Sequence, residues 1–206
     1  VAGTVGALGV LADRLGPGDA SGRSPFLLVP GIDVPFHSSA LIGGVEEFQA
    51  HLDAALPEEI DPGLLVGRYV PNLYPVPFRI DRDYVEAVTE SCGGGPASAL
   101  LERWEELQAR PGRLTRELLV QLLAWQFASP VRWIEATEVM VAPEPSGGLG
   151  VRRVVEVGLG AAPTLTNLTS AALLADRRRD VAVLHVELHA AEVFDTAAEP
   201  EPVTKT

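Results

Sequence analysis

The sequence predicts a soluble α/β protein built in layers. In its second half, the β-branched run Arg153-Val154-Val155-Glu156-Val157 and an apolar run at residues 181–188 flank a helical stretch at residues 163–174. That alternation builds a sheet covered by helices. Its first half is a series of amphipathic helices broken by Pro and Gly. With 206 residues, 47% hydrophobic and 21% charged, the chain can form one sizeable domain or two small ones.

Residues 5–15 carry apolar side chains at helical spacing and stop at Gly16-Pro17-Gly18. Pro25-Phe26-Leu27-Leu28-Val29 reads as a short buried strand. The segment from Gly31 through Ile32, Asp33, Val34, Pro35 and Phe36 to His37, Ser38 and Ser39 reads as irregular, because its prolines block pairing. Residues 45–56 form a helix with Val45, Phe48, Leu52 and Leu56 on one face. Residues 57–62 are a turn-rich break, 64–70 a candidate strand, and 71–77 an extended loop holding three prolines. Helices are expected at 81–88 and 97–108, separated by Gly93-Gly94-Gly95-Pro96. A longer helix covers 115–127 with Thr115 as its N-cap, and another covers 131–141 behind Pro130. Residues 143–150 are loop, and Gly158-Leu159-Gly160 turns the second-half strand into its helix. Ala197-Ala198-Glu199-Pro200-Glu201-Pro202 is a stiff acidic linker.

The formal net charge of −12 argues against a nucleic-acid surface, which needs clustered Lys and Arg. No apolar run reaches the length of a membrane span. The apolar N-terminus lacks a basic leader and is not a signal peptide; its first residue, Val1, suggests a piece of a longer polypeptide. One cysteine, Cys92, cannot form an internal disulfide, so a reducing cytoplasm is expected.

Four histidines are the candidate chemical groups. His51 falls among charges and reads as surface. His185, Glu187 and His189 would share one face of a regular strand, but alternate strand residues rarely close a metal site and no Cys or Asp cluster backs them, so no metal is assigned. His37 follows a buried strand in a proline-constrained loop, a rigid mount from which an imidazole can be aimed for general base catalysis. Ser38 and Ser39 are poor nucleophiles, since no Gly-x-Ser-x-Gly elbow occurs anywhere in the chain. Gly158-Leu159-Gly160 does not complete a dinucleotide fingerprint, because Pro163 stands where the third glycine belongs.

Four ordered motifs resemble the acyltransferase domains of fatty acid and polyketide synthases, in particular the malonyl/palmitoyl transferase of fungal-type and mycobacterial-type type I fatty acid synthases. Gly31-Ile32-Asp33-Val34-Pro35-Phe36-His37-Ser38 looks like the Phe-His-Ser signature, and Val70-Pro71-Asn72-Leu73 looks like the segment that usually reads Ser-Asn-Val. Gln126-Phe127-Ala128-Ser129-Pro130-Val131-Arg132-Trp133 is similar to Gln-Leu-x-x-Pro-Val-x-Trp. Val155-Glu156-Val157-Gly158-Leu159-Gly160 is similar to Glu-Val-Gly-Pro-Gly, with Leu159 in place of proline. The likeness runs over residues 1–194.

The resemblance implies the C-terminal part of an acyltransferase fold. Residues 1–40 would end a ferredoxin-like small subdomain, 41–194 would belong to an α/β-hydrolase-like large subdomain, and 195–206 would be linker. It implies His37 as general base, the main-chain carbonyl of Gln126 orienting its ring, and Phe36 and Asn72 at the substrate. In related acyltransferases, Phe before the histidine accompanies malonyl and Ser accompanies methylmalonyl. The implied acyl carriers are a coenzyme A thioester and the phosphopantetheine of an acyl carrier protein, with no bound cofactor. The implied partners are the upstream half of the domain, which carries the serine, and other synthase domains in a large homo-oligomer. The acetyl-transferase domain of the same synthases and a catalytically silent docking module are the alternative readings.

Overall fold

The structure, a computed structural model, describes residues 2–17, 26, 33–91, 98–158, 164–175 and 180–194. The expected strand at 25–29 (apart from Phe26), Gly31 and Ile32, the glycine run after Ser91, Leu159 with Gly160, and the acidic linker lie outside the described residues. The chain divides into two compact units, Val1–Arg132 and Trp133–Thr206.

The first unit is helical. Helix α1 (Val5–Leu15) starts on the Thr4 hydroxyl, which accepts the Ala7 N–H, and buries no residue. A 3-10 turn at Ser39–Gly44 leads directly into α2 (Val45–Ala55). Residues 64–70 do not form the expected strand. Asp61 caps a 3-10 turn at Pro62–Leu64 by accepting the Gly63 N–H, and the Leu65 and Val66 N–H groups turn back to the Pro62 carbonyl. A proline at the first position of such a turn presets it. Phe78 N–H then donates to Tyr69 C=O and Gly67 N–H to Phe78 C=O, closing the proline-rich loop on itself.

Helix α3 (Arg82–Ser91) is capped by Asp81, which accepts the Tyr84 N–H. The helix expected at 97–108 is two pieces, α4 (Ser98–Glu102) and α5 (Trp104–Gln108), broken at Arg103, whose φ of −106° and ψ of 21° leave the helical region. Helix α6 (Pro111–Gln126) begins four residues before the expected start. Pro111 occupies the first turn, where a missing N–H costs nothing, and Thr115 is buried inside the helix instead of capping it.

α6 organises the unit. Leu114, Leu118 and Leu122 recur every fourth residue, and this row packs with Leu73, Phe78, Tyr84, Val85, Val88, Leu100 and Leu107. Ala124 and Ala128 join a second cluster around Val45, with Leu41, Leu52, Trp125 and Phe127 against it. Small residues there let α2 lie close along α6. Arg116 ties the two helices: its guanidinium meets the Asp53 carboxylate at 2.7 Å and also donates to the main-chain carbonyls of Asp53 and Pro57, groups that the end of α2 would otherwise leave unpaired.

The second unit contains the α/β element. After α7 (Trp133–Val141), strands β1 (Arg153–Glu156) and β2 (Ala182–His185) pair in parallel, Arg153 opposite Ala182 and Glu156 opposite His185, with α8 (Thr164–Ala175) between them in sequence. Parallel neighbours need such a crossover. α7 starts at Trp133, not 131, because Arg132 N–H donates to the Asn72 carbonyl and keeps the preceding residues out of the helix. After α7 the chain folds back through Gly148, where a Cβ would run into the Ala142 carbonyl oxygen, so only glycine fits. A short helix, α9 (Ala190–Phe194), follows β2. No described helix is long and apolar enough to cross a membrane.

Candidate functional site

The site is built where the loop at 33–38 meets the C-terminal end of α6. Helix ends leave their last carbonyls without intrahelical partners. Two of them, on Gln126 and Phe127, receive His37. The His37 main-chain N–H donates to Phe127 C=O at 3.0 Å, and Nδ1 of its ring lies 2.7 Å from Gln126 C=O. A carbonyl only accepts, so Nδ1 carries the proton and Nε2 is left as the acceptor of the neutral ring. The residue pair is 89 positions apart in sequence.

His37 takes a φ of +59°, the only described non-glycine residue in the left-handed region. That conformation costs about 1–2 kcal/mol for an L-residue. The two bonds to the end of α6 hold it there, helped by the turn on either side. Phe36 N–H donates to Val34 C=O, the Ser38 hydroxyl to Pro35 C=O at 2.7 Å, and Leu41 N–H to Ser38 C=O. The Ser38 hydroxyl is thus engaged with the main chain. Strained backbone held by over-determining contacts is a recurrent feature of functional loops.

Around this point lies an aromatic group. Phe36 meets Phe127 edge-on, centroids 5.8 Å apart, and Phe127 meets Phe48 of α2 at 5.3 Å. Phe36 keeps 45% of its surface exposed and His37 is exposed, so both present themselves outward from this unit. The structure therefore brings His37, Phe36 and Gln126 together. Asn72 is half-buried; its carbonyl accepts the Arg132 N–H, and no hydrogen bond joins it to His37 among the described residues. Phe127, and Gly44, where a Cβ would stand 3.2 Å from the Phe127 ring, were not singled out by the sequence. The Gly43-Gly44 pair immediately before an amphipathic helix, and an aromatic residue directly after Gln126, were the available signals.

The other histidines behave differently. His51 is exposed, and its Nδ1 bonds to Glu47 C=O one turn back. His185, Glu187 and His189 do not share a strand face, which corrects the expectation of a strand to 188. β2 ends at His185, whose buried ring accepts the N–H groups of Glu187 and Leu188 on Nδ1, winding the chain into a turn; His185 N–H in turn donates to His189. No cluster of metal-ligating side chains occurs among the described residues.

At the other end of α6, a polar concavity is lined by Asp53, Leu56, Glu58, Arg110, Arg113, Arg116 and Glu117. Its arginines already carry carboxylate partners: Arg110 meets Glu59, Arg113 meets Glu117, and Arg116 meets Asp53.

In the second unit, Glu156 at the end of β1 receives the Leu165 N–H, the Thr166 N–H and the Thr166 hydroxyl at 3.1, 2.8 and 2.6 Å, capping α8. The Thr166 hydroxyl, followed by the two main-chain N–H groups, holds this carboxyl below the usual glutamate range.

No family model matches the chain. It is similar to a segment of fungal fatty acid synthases. Over 147 residues, 71% of the chain, it is 41% identical to fatty acid synthase 2 of Mycosarcoma maydis. It is 39% identical over 79 residues to the fatty acid synthase subunit beta of Schizosaccharomyces pombe, and 34% identical over 86 residues to that of Saccharomyces cerevisiae, 38% and 40% of the chain. In each case the match covers 4% of the relative's length, so the chain spans a small part of the curated relatives it matches. These likenesses support a fatty acid synthase segment.

Proposed function

We propose that this chain is the histidine-bearing part of a malonyl-type acyltransferase within a fatty acid synthase. The observation that carries the reading is the 2.7 Å bond from His37 Nδ1 to the Gln126 carbonyl at a helix end. It leaves Nε2 directed away from its own anchor as a proton acceptor. The similarity to fungal fatty acid synthases supports the setting.

The nucleophile would be a serine in the upstream half of the same domain, since this chain has no Gly-x-Ser-x-Gly elbow. Nε2 of His37 takes the serine proton as Oγ attacks the thioester carbonyl of malonyl-coenzyme A. The C–S bond breaks, the departing sulfur takes that proton from the imidazolium, and coenzyme A leaves. The acyl-serine then meets the phosphopantetheine thiol of an acyl carrier protein. His37 takes the thiol proton, the sulfur attacks the ester, and the proton returns to serine. A fixed Nδ1–H keeps one tautomer in place through both halves. Phe36 would wall the acyl site, and Asn72 would also contact the substrate. The same machinery would accept palmitoyl groups in the reverse sense, from carrier protein to coenzyme A.

The test uses the full-length polypeptide and radiolabelled malonyl-coenzyme A. His37→Asn is the informative variant, because asparagine tolerates the left-handed backbone that His37 adopts. It should reduce transfer to the carrier protein by ~10²–10⁴-fold. Wild-type turnover in that variant would rule out His37 as the base. Labelling by acetyl- but not malonyl-coenzyme A would assign the acetyl-transferase reading, and no covalent label at all would assign a silent module.

A further inference from the structure

We infer that Phe127 is a positioning residue for His37, its side chain setting the direction of the two carbonyls that hold the histidine. The inference rests on the acyl-transfer reading above and adds to it a residue that acts through His37 without touching the acyl group.

Carbonyls in a last turn are the least constrained in a helix, because they lack the i+4 N–H partner of the helix interior. The Ala128 N–H goes to Trp125 C=O at 3.1 Å, and the Ser129 N–H reaches Gln126 C=O only at 3.4 Å. The direction of the peptide units carrying the Gln126 and Phe127 oxygens therefore depends on how residue 127 is fixed. Its ring is fixed on three sides. Phe48 lies 5.3 Å away in α2, Phe36 lies 5.8 Å away in the histidine loop, and Gly44 closes the third side. A Cβ built on Gly44 would stand 3.2 Å from the Phe127 ring, tighter than ordinary contact. Glycine is not needed there for its backbone, whose φ of −96° and ψ of −5° any residue adopts. What the glycine provides is room for the ring.

The ring and the carbonyls thus act on one loop together. Phe127 C=O receives the His37 N–H, Gln126 C=O receives its Nδ1, and the Phe127 ring packs on the residue immediately before the histidine. Removing the ring frees the helix end and the loop at once, so Nε2 loses its direction, and Phe36 on the same loop loosens with it. A displacement of about 1 Å at a catalytic group costs on the order of 10²-fold. Such a loss belongs to the chemical step and falls on kcat.

The experiment compares Phe127→Ala, Phe127→Leu and Gly44→Ala with wild type in the full-length polypeptide. It measures kcat and KM for malonyl transfer, the final stoichiometry of covalent malonyl label, and thermal unfolding. Phe127→Ala and Gly44→Ala are expected to lower kcat by about 10–100-fold, a larger effect than any rise in KM from the loosened Phe36, with wild-type final labelling. Phe127→Leu, which keeps a large apolar side chain against Phe48, should retain kcat within about threefold. Wild-type kcat in Phe127→Ala, or a raised KM with kcat unchanged, overturns the inference and makes Phe127 packing or substrate wall. If Phe127→Ala does not fold, Gly44→Ala decides alone, since it crowds the ring by a few tenths of an ångström without emptying the core; wild-type kcat there overturns the inference too. An unlabelled wild type would overturn the acyl-transfer reading and this inference with it, whereas a labelled wild type with unaffected variants would overturn this inference only.

Discussion

His37 and Phe36 show how much chemistry a residue's neighbours decide. An imidazole in a loop is usually solvent-facing and inert. Here a left-handed φ and two bonds to a helix end fix both the backbone and the tautomer. Phe36 is placed by the same loop, edge-on to Phe127 and 45% exposed, so its ring is only partly used in packing. In the proposed reaction that exposed part fills the space beside C2 of the malonyl group, where an added methyl would clash. One methyl in a shaped apolar site gives roughly 10–200-fold discrimination. Phe36→Ser should therefore raise the rate with methylmalonyl-coenzyme A relative to malonyl-coenzyme A in a direct competition. An unchanged ratio would make Phe36 packing only. Neither the positive φ nor the aromatic group was legible in the sequence. Pro35 and the flanking serines announce an irregular loop but not its angles, and the partner carbonyl lies 89 positions away. The pairing of His37 with Gln126 came from ordered motifs, not from spacing.

At the scale of elements, periodicity located the helices well and their ends poorly. α1 and α2 fall where the apolar spacing puts them, because both end at residues that cannot continue: Gly16 at φ +73° and the extended Leu56. α6 begins earlier than read, since Pro111 starts a helix as readily as Thr115 caps one. The strand expected at 64–70 failed for a local reason, the Asp61–Pro62 turn, which outweighs the β-branched character of a short run. β2 is short because a histidine side chain competes for the N–H groups that would continue it. The link between β1 and α8 carries a prediction of its own. Glu156 caps α8 as a carboxylate, and its folded-state pKa is depressed by those bonds. A depressed carboxyl contributes stability that is present above the unfolded glutamate value of about 4.3 and is lost as pH falls through the lower folded value. In urea unfolding of the second unit's signal from pH 7 down to pH 3, wild type should exceed Glu156→Gln at neutral pH. The gap should narrow below about pH 4.3. A gap that does not change with pH would show that the cap acts through shape and not through charge.

On the scale of the whole molecule, the two compact units divide the recognisable motifs between them. The Phe-His-Ser loop, Asn72 and Gln126 lie in Val1–Arg132, and the β1 segment with Glu156 lies in Trp133–Thr206. In the proposed reading, every group that holds the base is therefore present in the first unit, and none of the chain's serines lies in a Gly-x-Ser-x-Gly pentapeptide. This asymmetry yields a prediction about the 206-residue chain by itself. A base raises the rate of an attacking group already in place; without that group it has nothing to activate. Ser38 is the nearest serine in sequence to the ring, but its hydroxyl donates to Pro35 C=O at 2.7 Å and belongs to the turn that shapes the loop. Turning it toward a thioester would break its bond to Pro35 C=O and remove one of the contacts that support the His37 turn. The isolated chain should therefore take up no covalent label from radiolabelled malonyl-coenzyme A, in a burst or on long incubation, and should not transfer malonyl to an acyl carrier protein. Co-expressing it with the upstream half of the domain should restore both, and His37→Asn in the pair should again cut the transfer by ~10²–10⁴-fold. A stoichiometric burst of label on the isolated chain would refute this division of labour. Peptide mapping of the labelled residue would then have to find the nucleophile within this sequence, with Ser38, Ser39 and Cys92 as the residues to inspect.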